Sequence, residues 1–149
     1  MKRGAAYMAG FGVACVCMAM PLWAERPVVL TSAAQANYML NCMGCHLPDG
    51  SGAPGKVPSV RDSLVTLSSS AAGRRFLLQV PGASQSPLTD LELAQVLNWM
   101  VRNLSARAVP ADFMDFTAAE VASYRRPPLV TVRETRARLL EAAADPVTR

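Results

Sequence analysis

The sequence predicts an all-α protein, on three observations. Capping boxes, in which a threonine precedes a glutamate by three positions, occur at 89–92, 117–120 and 131–134, and each marks the first turn of a helix. One apolar stripe recurs at the spacing of a helix face and consists of Leu93, Leu97, Met100, Val101 and Leu104. No run of β-branched residues alternates with a period of two, so no sheet is expected.

Residues 1–24 have the layout of a secretory signal peptide. Lys2 and Arg3 are followed by about twenty mostly apolar residues without an acid, and the small residue Ala24 precedes Glu25. We predict cleavage after Ala24 and export of the mature chain to the periplasm.

Two other roles for this N-terminal segment stay open. The apolar run 4–24 is just long enough to cross a bilayer, although its glycines and alanines make a weak span. A lipoprotein would need Cys15 or Cys17 after a Leu-Ala-Gly-like triplet, which the preceding residues match poorly. Association with a membrane is therefore expected only if the leader is retained.

The mature chain is predicted to begin with a helix and a long loop. Thr31 or Ser32 is placed to cap the helix, which runs to about Met43. Residues 47–66 are rich in proline and glycine, which predicts a loop rather than a packed element.

Two helices are predicted in the middle of the chain. The serine run 68–70 caps the first, at about 71–80, which Pro81–Gly82 ends. The second, at about 90–104, follows the first capping box.

A helical C-terminal extension is predicted over residues 107–149. A short helix follows the capping box at 117–120, and a last one runs from 131 to about 143, after a stiff extended link at 125–130. Hydrophobic staples are expected at two of the capping boxes: Leu88 with Leu93, and Phe116 with Val121.

Composition excludes some classes of function. Cleavage after Ala24 leaves about 125 residues, enough for one domain, and lowers the net charge from +4 to about +2 because Lys2 and Arg3 are removed. No block of basic residues alternates with aromatic residues, so binding to nucleic acid is not expected. Five C-terminal arginines either face an acidic partner or lie on a solvated helix face: Arg125, Arg126, Arg133, Arg136 and Arg138.

One short motif carries the chemistry of the mature chain. Its only two cysteines are Cys42 and Cys45, and the only histidine, His46, directly follows Cys45. Cysteines three positions apart on a helical turn reach two vinyl groups at one edge of a haem, and the histidine that follows reaches the iron. The motif predicts one covalently attached c-type haem, with His46 as the proximal iron ligand.

Three other interpretations of the motif compete with haem. A zinc site would need four ligands, and the motif offers three. A thioredoxin-like dithiol would need a preceding strand in a βαβ frame, whereas residues 31–41 look helical. A structural disulfide between Cys42 and Cys45 would leave His46 unexplained.

Residues 31–104 resemble the small single-haem class I c-type cytochromes. A helix, the Cys-x-x-Cys-His motif, a Gly/Pro-rich loop, a second helix and a final amphipathic helix follow one another in that order. The resemblance implies an all-α, class I cytochrome c-like domain at 25–106, wrapped around one covalent haem.

The resemblance also implies further contacts to the haem. The family packs an aromatic residue where the first and last helices cross, and Trp99 has the matching position. The family also supplies a proline carbonyl that accepts a hydrogen bond from the ligand imidazole, and Pro58 matches best. Four basic residues are candidate partners of the haem propionates, or else solvated surface charges: Lys56, Arg61, Arg74 and Arg75.

The sequence departs from the family at the distal iron ligand. The family brings a methionine from the loop before the last helix, and residues 80–90 contain none. Met39 and Met43 belong to the attachment helix, on the wrong side of the ring. Met100 and Met114 are the candidate distal ligands, or else ordinary apolar packing, and an open or water-filled position is the other possibility.

We expect the protein to carry single electrons between redox partners, such as a dehydrogenase and an oxidase or another cytochrome. No acid–base pair and no nucleophile with a base is visible, so it is not expected to be an enzyme. Two alternatives are a haem protein whose open distal site binds a small ligand, and an electron-relay subunit of a larger dehydrogenase complex.

Overall fold

The structure, a computed structural model, describes residues 32–145. The described residues form seven helices and no strand, which confirms the prediction of an all-α protein. The predicted signal peptide, with Cys15 and Cys17, lies outside the described residues. None of the described helices is both long enough and apolar enough to cross a bilayer. In chain order the helices are α1 (Ala33–Asn41), α2 (Leu64–Ser68), α3 (Ala71–Gln79), α4 (Pro81–Ser84), α5 (Asp90–Leu104), α6 (Ala118–Tyr124) and α7 (Val132–Ala144).

Side-chain caps start the helices at the predicted positions in the first part of the chain. The Ser32 hydroxyl accepts a hydrogen bond from the first turn of α1, and the Ser70 hydroxyl accepts one from the first turn of α3. At α5 both halves of the capping box form, because Thr89 accepts from the Glu92 backbone while the Glu92 carboxylate accepts from the Thr89 backbone. The predicted bounds of α5 are confirmed.

The other two capping boxes depart from the prediction. Thr117 caps α6 by accepting from the Glu120 backbone at 3.1 Å, but the Glu120 carboxylate binds Arg74 instead of reaching back to the cap. Thr131 makes no capping bond to the start of α7, and its hydroxyl contacts that of Thr135. The capping box predicted at 131–134 is therefore wrong, although the helix begins where it was expected.

Two short helices were not predicted. The region 47–66 was expected to be a loop, but its end enters α2, whose residues Leu64 and Leu67 are buried. Five residues are too few for a helical period to show in a sequence. α3 ends at Gln79 with Val80 as its C-cap, directly before Pro81 as predicted, and Pro81 also begins α4, where its missing N–H leaves no bond unmade.

α5 is the centre of the hydrophobic core. α1, α2 and α6 all pack against it, and α3 joins α2, α6 and α7. Val96, which the predicted apolar stripe omits, is completely buried, because α5 is covered on more than one side. The staple residues predicted from the sequence, Leu88 and Phe116, are both buried in this core.

The C-terminal extension shares this core. Phe116 and Val121 are buried beside α5 and α3, so α6 is packed as an integral element. The chain then crosses to α3, where the backbone N–H of Leu129 donates to the carbonyl of Gln79 at 2.8 Å. α7 lies on α2 and α3, and none of its residues is buried.

A buried arginine attaches the extension to the segment between α4 and α5. Arg125 is only 7% exposed. Its guanidinium donates to the backbone carbonyls of Ala83, Ser86 and Leu88, at 2.9–3.3 Å, and pairs with the Asp90 carboxylate at 2.8 Å. Carbonyls that would otherwise be buried without donors are satisfied by this one side chain.

We expect Arg125→Ala to lower the free energy of unfolding by about 3 kcal/mol, because three buried or part-buried carbonyls and one carboxylate lose their donor. Urea denaturation followed by circular dichroism measures the change. The neighbouring Arg126 is exposed and is the matched control. Arg126→Ala should change the stability by less than about 0.5 kcal/mol. Equal effects of the two substitutions would contradict the role assigned to Arg125.

Candidate functional site

The Cys-x-x-Cys-His motif forms one helical turn at the end of α1. Cys42 is the C-cap, and its backbone carbonyl accepts hydrogen bonds from the N–H groups of Cys45 (3.1 Å) and His46 (3.0 Å). The backbone N–H of Cys42 donates to Tyr38 at 2.9 Å, so the turn continues directly from α1. Residues three apart on such a turn are neighbours on one face.

Both cysteines are free thiols. Cys42 is half-buried and Cys45 is exposed. Burial, together with the neighbouring Cys45, raises the pKa of Cys42 to about 11, so this thiol is protonated at neutral pH. Redox-active dithiols have the opposite property, a cysteine whose pKa is lowered. The structural disulfide is not formed, and the electrostatics disfavour a thioredoxin-like site.

His46 has an unpaired ring nitrogen. Nδ1 is buried and has no hydrogen-bond partner among the described residues. Burial lowers the pKa of His46, so the imidazole is neutral at neutral pH, which is the form that binds a metal. The predicted hydrogen bond from this imidazole to the Pro58 carbonyl is not present in the described part of the chain, and the role of Pro58 stays a prediction.

The zinc interpretation also loses support. Among residues 32–145 no group of three or more cysteine, histidine, aspartate or glutamate side chains is placed to hold one metal ion. The three side chains of the motif therefore do not converge as ligands of one ion would. A haem iron needs only a single imidazole from the motif, so this finding leaves the haem prediction as it was.

Tyr38 joins the chain that follows the motif to α1. Its ring is 1% exposed, and its hydroxyl donates to the backbone carbonyl of Leu47, the residue after His46, at 2.7 Å. Two residues on, Asp49 pairs with Arg61 at 2.7 Å, so both ends of the 49–61 segment are held together. Hydrogen bonds from Ser51 and Arg61 lower the pKa of Asp49 to about 2, which keeps this carboxylate ionised.

Trp99 lies where α1 packs on α5. Its ring centroid is 5.3 Å from that of Tyr38, with the planes tilted by 39°. Such tilted aromatic pairs are favourable contacts. An aromatic residue at the contact of these two helices is what the cytochrome resemblance implies for Trp99, and its contact with a haem stays a prediction.

Pro58 lies in a different part of the surface, a cleft of about 610 Å³ between residues 51–59 and α7. Lys56, Arg133 and Arg136 also line this cleft, whereas the three motif side chains do not. Sequence reasoning missed this juxtaposition, because nothing local connects residue 58 with residues 133 and 136.

The two candidate distal methionines differ in their exposure to solvent. Met100 is 6% exposed and belongs to the hydrophobic core. Met114 is 78% exposed, in a second cleft beside α3 and α6, and its backbone carbonyl accepts from Arg74 at 2.8 Å. Ligation by either one stays a prediction.

The basic residues proposed for the propionates divide into two groups. Arg61 pairs with Asp49, and Arg74 forms a two-pronged pair with Glu120 at 2.6 Å while it covers the ring of Phe116. These two guanidinium groups are therefore already engaged. Lys56 and Arg75 form no ion pair with a described carboxylate, and Arg75 lies over the ring of Tyr124.

Comparison of the chain with models of known protein families and with curated proteins finds no match.

We expect Tyr38→Phe to flatten the alkaline loss of stability. Burial, with smaller contributions from Cys42 and Asp49, raises the pKa of Tyr38 from 10.0 to about 12 in the folded state. A group whose pKa is raised by folding stabilises the fold fully below its unfolded pKa, and this stability is lost as the pH rises through the folded pKa. The wild-type free energy of unfolding should therefore fall more steeply between pH 10 and pH 12 than that of the variant. Urea titrations at fixed pH measure both slopes, and equal slopes would contradict the burial of this hydroxyl.

Proposed function

We propose that the protein is a c-type cytochrome that carries single electrons on one haem, bound covalently through Cys42 and Cys45, with His46 as the proximal iron ligand. One observation carries the proposal. Two free thiols and a neutral imidazole with an unpaired nitrogen share a single helical turn.

The donor set suits covalent attachment of haem. Each thiol would add across one vinyl group, so that sulfur bonds to one vinyl carbon and the thiol hydrogen passes to the other, with no oxidant required. A bound haem supplies an iron that alternates between Fe(II) and Fe(III). His46 would hold this iron, while Tyr38 fixes the following backbone in place through Leu47.

The surface next to the motif suits a transient redox partner. Three apolar side chains near the attachment turn are exposed, and Cys45 is exposed among them: Met39 (50%), Leu40 (81%) and Leu47 (51%). Weak electron-transfer encounters use small interfaces, which these exposed side chains could supply. The partner would be a periplasmic dehydrogenase, an oxidase or another cytochrome, since the N-terminal sequence has the layout of a signal peptide.

Haem that survives denaturation should depend on both cysteines. The chain is produced in a host that attaches c-type haem, and covalent haem is measured by acid–acetone extraction and by the mass of the intact protein. Wild type should gain the mass of one haem, and the double substitution Cys42→Ala, Cys45→Ala should gain none. His46→Ala, in contrast, should leave the thioethers possible but change the spectrum of the iron. A wild-type chain without covalent haem would overturn the proposal.

A second candidate, a haem protein whose open distal position binds a small ligand, is favoured by the segment between α4 and α5. This segment contains no methionine, and Arg125 holds it through the carbonyls of Ala83, Ser86 and Leu88. Met100 is buried in the core, and Met114 is 78% exposed. On this interpretation, no methionine from the segment between α4 and α5 ligates the iron.

If the distal position is open, we expect carbon monoxide to shift the optical spectrum of the reduced protein, because an iron without a methionine ligand is free to bind it. Met114→Leu, which keeps an exposed apolar side chain, should leave this response unchanged. A far-red methionine-to-iron charge-transfer band in the oxidised protein, with no response to carbon monoxide, would reject the open site. Met100 or Met114 would then be the distal ligand, and the electron-carrier proposal would stand.

A further inference from the structure

The cleft between residues 51–59 and α7 combines apolar walls with a basic rim. Val57, Pro58 and Ala137 supply apolar surface, while Lys56, Arg133 and Arg136 supply positive charge. Its volume of about 610 Å³ is in the range of small-molecule sites. No aspartate or glutamate is among the described residues that line it.

The two arginines of this cleft are weakly engaged by the protein. Arg133 reaches the Gly55 carbonyl at 3.4 Å and Arg136 reaches the Ser59 carbonyl at 3.5 Å, both at the limit of a hydrogen bond. Neither forms an ion pair with a described carboxylate. Four other arginines do pair with a carboxylate: Arg61, Arg74, Arg102 and Arg125. Two guanidinium groups that pair with no described carboxylate are suited to a ligand that brings its own carboxylates.

The cleft is connected to the motif through the backbone. Ser51 lines the cleft, and its carbonyl accepts a hydrogen bond from the N–H of Leu47, the residue after His46, at 2.7 Å. A porphyrin has its vinyl groups and its propionates at opposite edges. The partners of the propionates must therefore lie a ring's width away from Cys42 and Cys45, which agrees with a cleft that these cysteines do not line.

We infer that Arg133 and Arg136 bind the propionate carboxylates of the haem, so that α7 of the C-terminal extension closes over the cofactor. The inference rests on the proposed function, because it needs the haem attached at Cys42 and Cys45. It also gives α7 a role that its packing leaves open. Val132, Leu139 and Leu140 of this helix pack against the core but none of its residues is fully buried, so a ligand that bridges it to residues 51–59 would add to its attachment.

The test removes the charges of Arg133 and Arg136 and compares the effect with that of removing two other arginine charges on the extension. The variant is Arg133→Gln, Arg136→Gln, and the matched control is Arg126→Gln, Arg138→Gln, which changes two exposed arginines outside the cleft. A third variant, Arg133→Lys, Arg136→Lys, keeps the charge but loses the planar fork. Three quantities are measured on each purified protein: covalent haem by mass, the reduction potential by spectroelectrochemistry, and hydrogen exchange of residues 132–144.

With haem attached, the glutamine variant should have a lower reduction potential than wild type, because losing positive charge beside the propionates favours Fe(III). Its α7 should also exchange faster, reaching the rate seen in the haem-free Cys42→Ala, Cys45→Ala chain. The lysine variant should shift less, and the control should match wild type.

A glutamine variant that loads haem but shifts the potential and the exchange no more than the control does would overturn this inference alone. Absence of covalent haem from wild type would overturn the proposed function as well.

Discussion

Burial of α5 is the constraint on which the rest of the structure depends. Its apolar residues are covered by α1 on one side and by α6 on another, and Val96 and Val101 have no exposed surface. The contact of Tyr38 with Trp99 fixes α1 on this helix, and the cysteine motif is the continuation of α1. The placement of the motif therefore follows from a packing interaction formed several residues before it. The Tyr38 hydroxyl also donates a hydrogen bond to the carbonyl of Leu47, so it helps to position the residue after His46.

The C-terminal extension is part of this packing. Arg74 joins α3 to α6 through Glu120, and Arg125 joins the end of α6 to the segment before α5. Both arginines are largely buried. Each donates to more than one acceptor, and these acceptors would otherwise need water as their donor. The segment before α5 is thereby held in place by a residue from the extension.

The charges of the extension are divided between two uses. The arginines near α6 are paired with carboxylates and hold elements together, whereas Arg133 and Arg136 face a cleft without an acid in its lining. A cation that forms no ion pair within the protein can bind an anion brought by a ligand without first breaking such a pair. The same residue type therefore contributes to folding in one helix and to the proposed binding of a cofactor in the next.

The sequence by itself determined the features that depend on neighbours along the chain. The bounds of α5 follow from a capping box and an apolar period, and once the turn after α1 is helical, a spacing of three and four residues puts Cys42, Cys45 and His46 on one face of it. Tertiary structure decided the features that depend on residues distant in sequence. The Glu120 carboxylate binds Arg74 rather than the backbone N–H of its own helix cap, because a buried guanidinium is a stronger partner than an exposed backbone N–H. α2 exists because its leucines are buried under α3, and the basic cleft exists because α7 packs beside residues 51–59. No local pattern encodes such contacts, since the free energy that forms them comes from surfaces that meet only after the chain has folded.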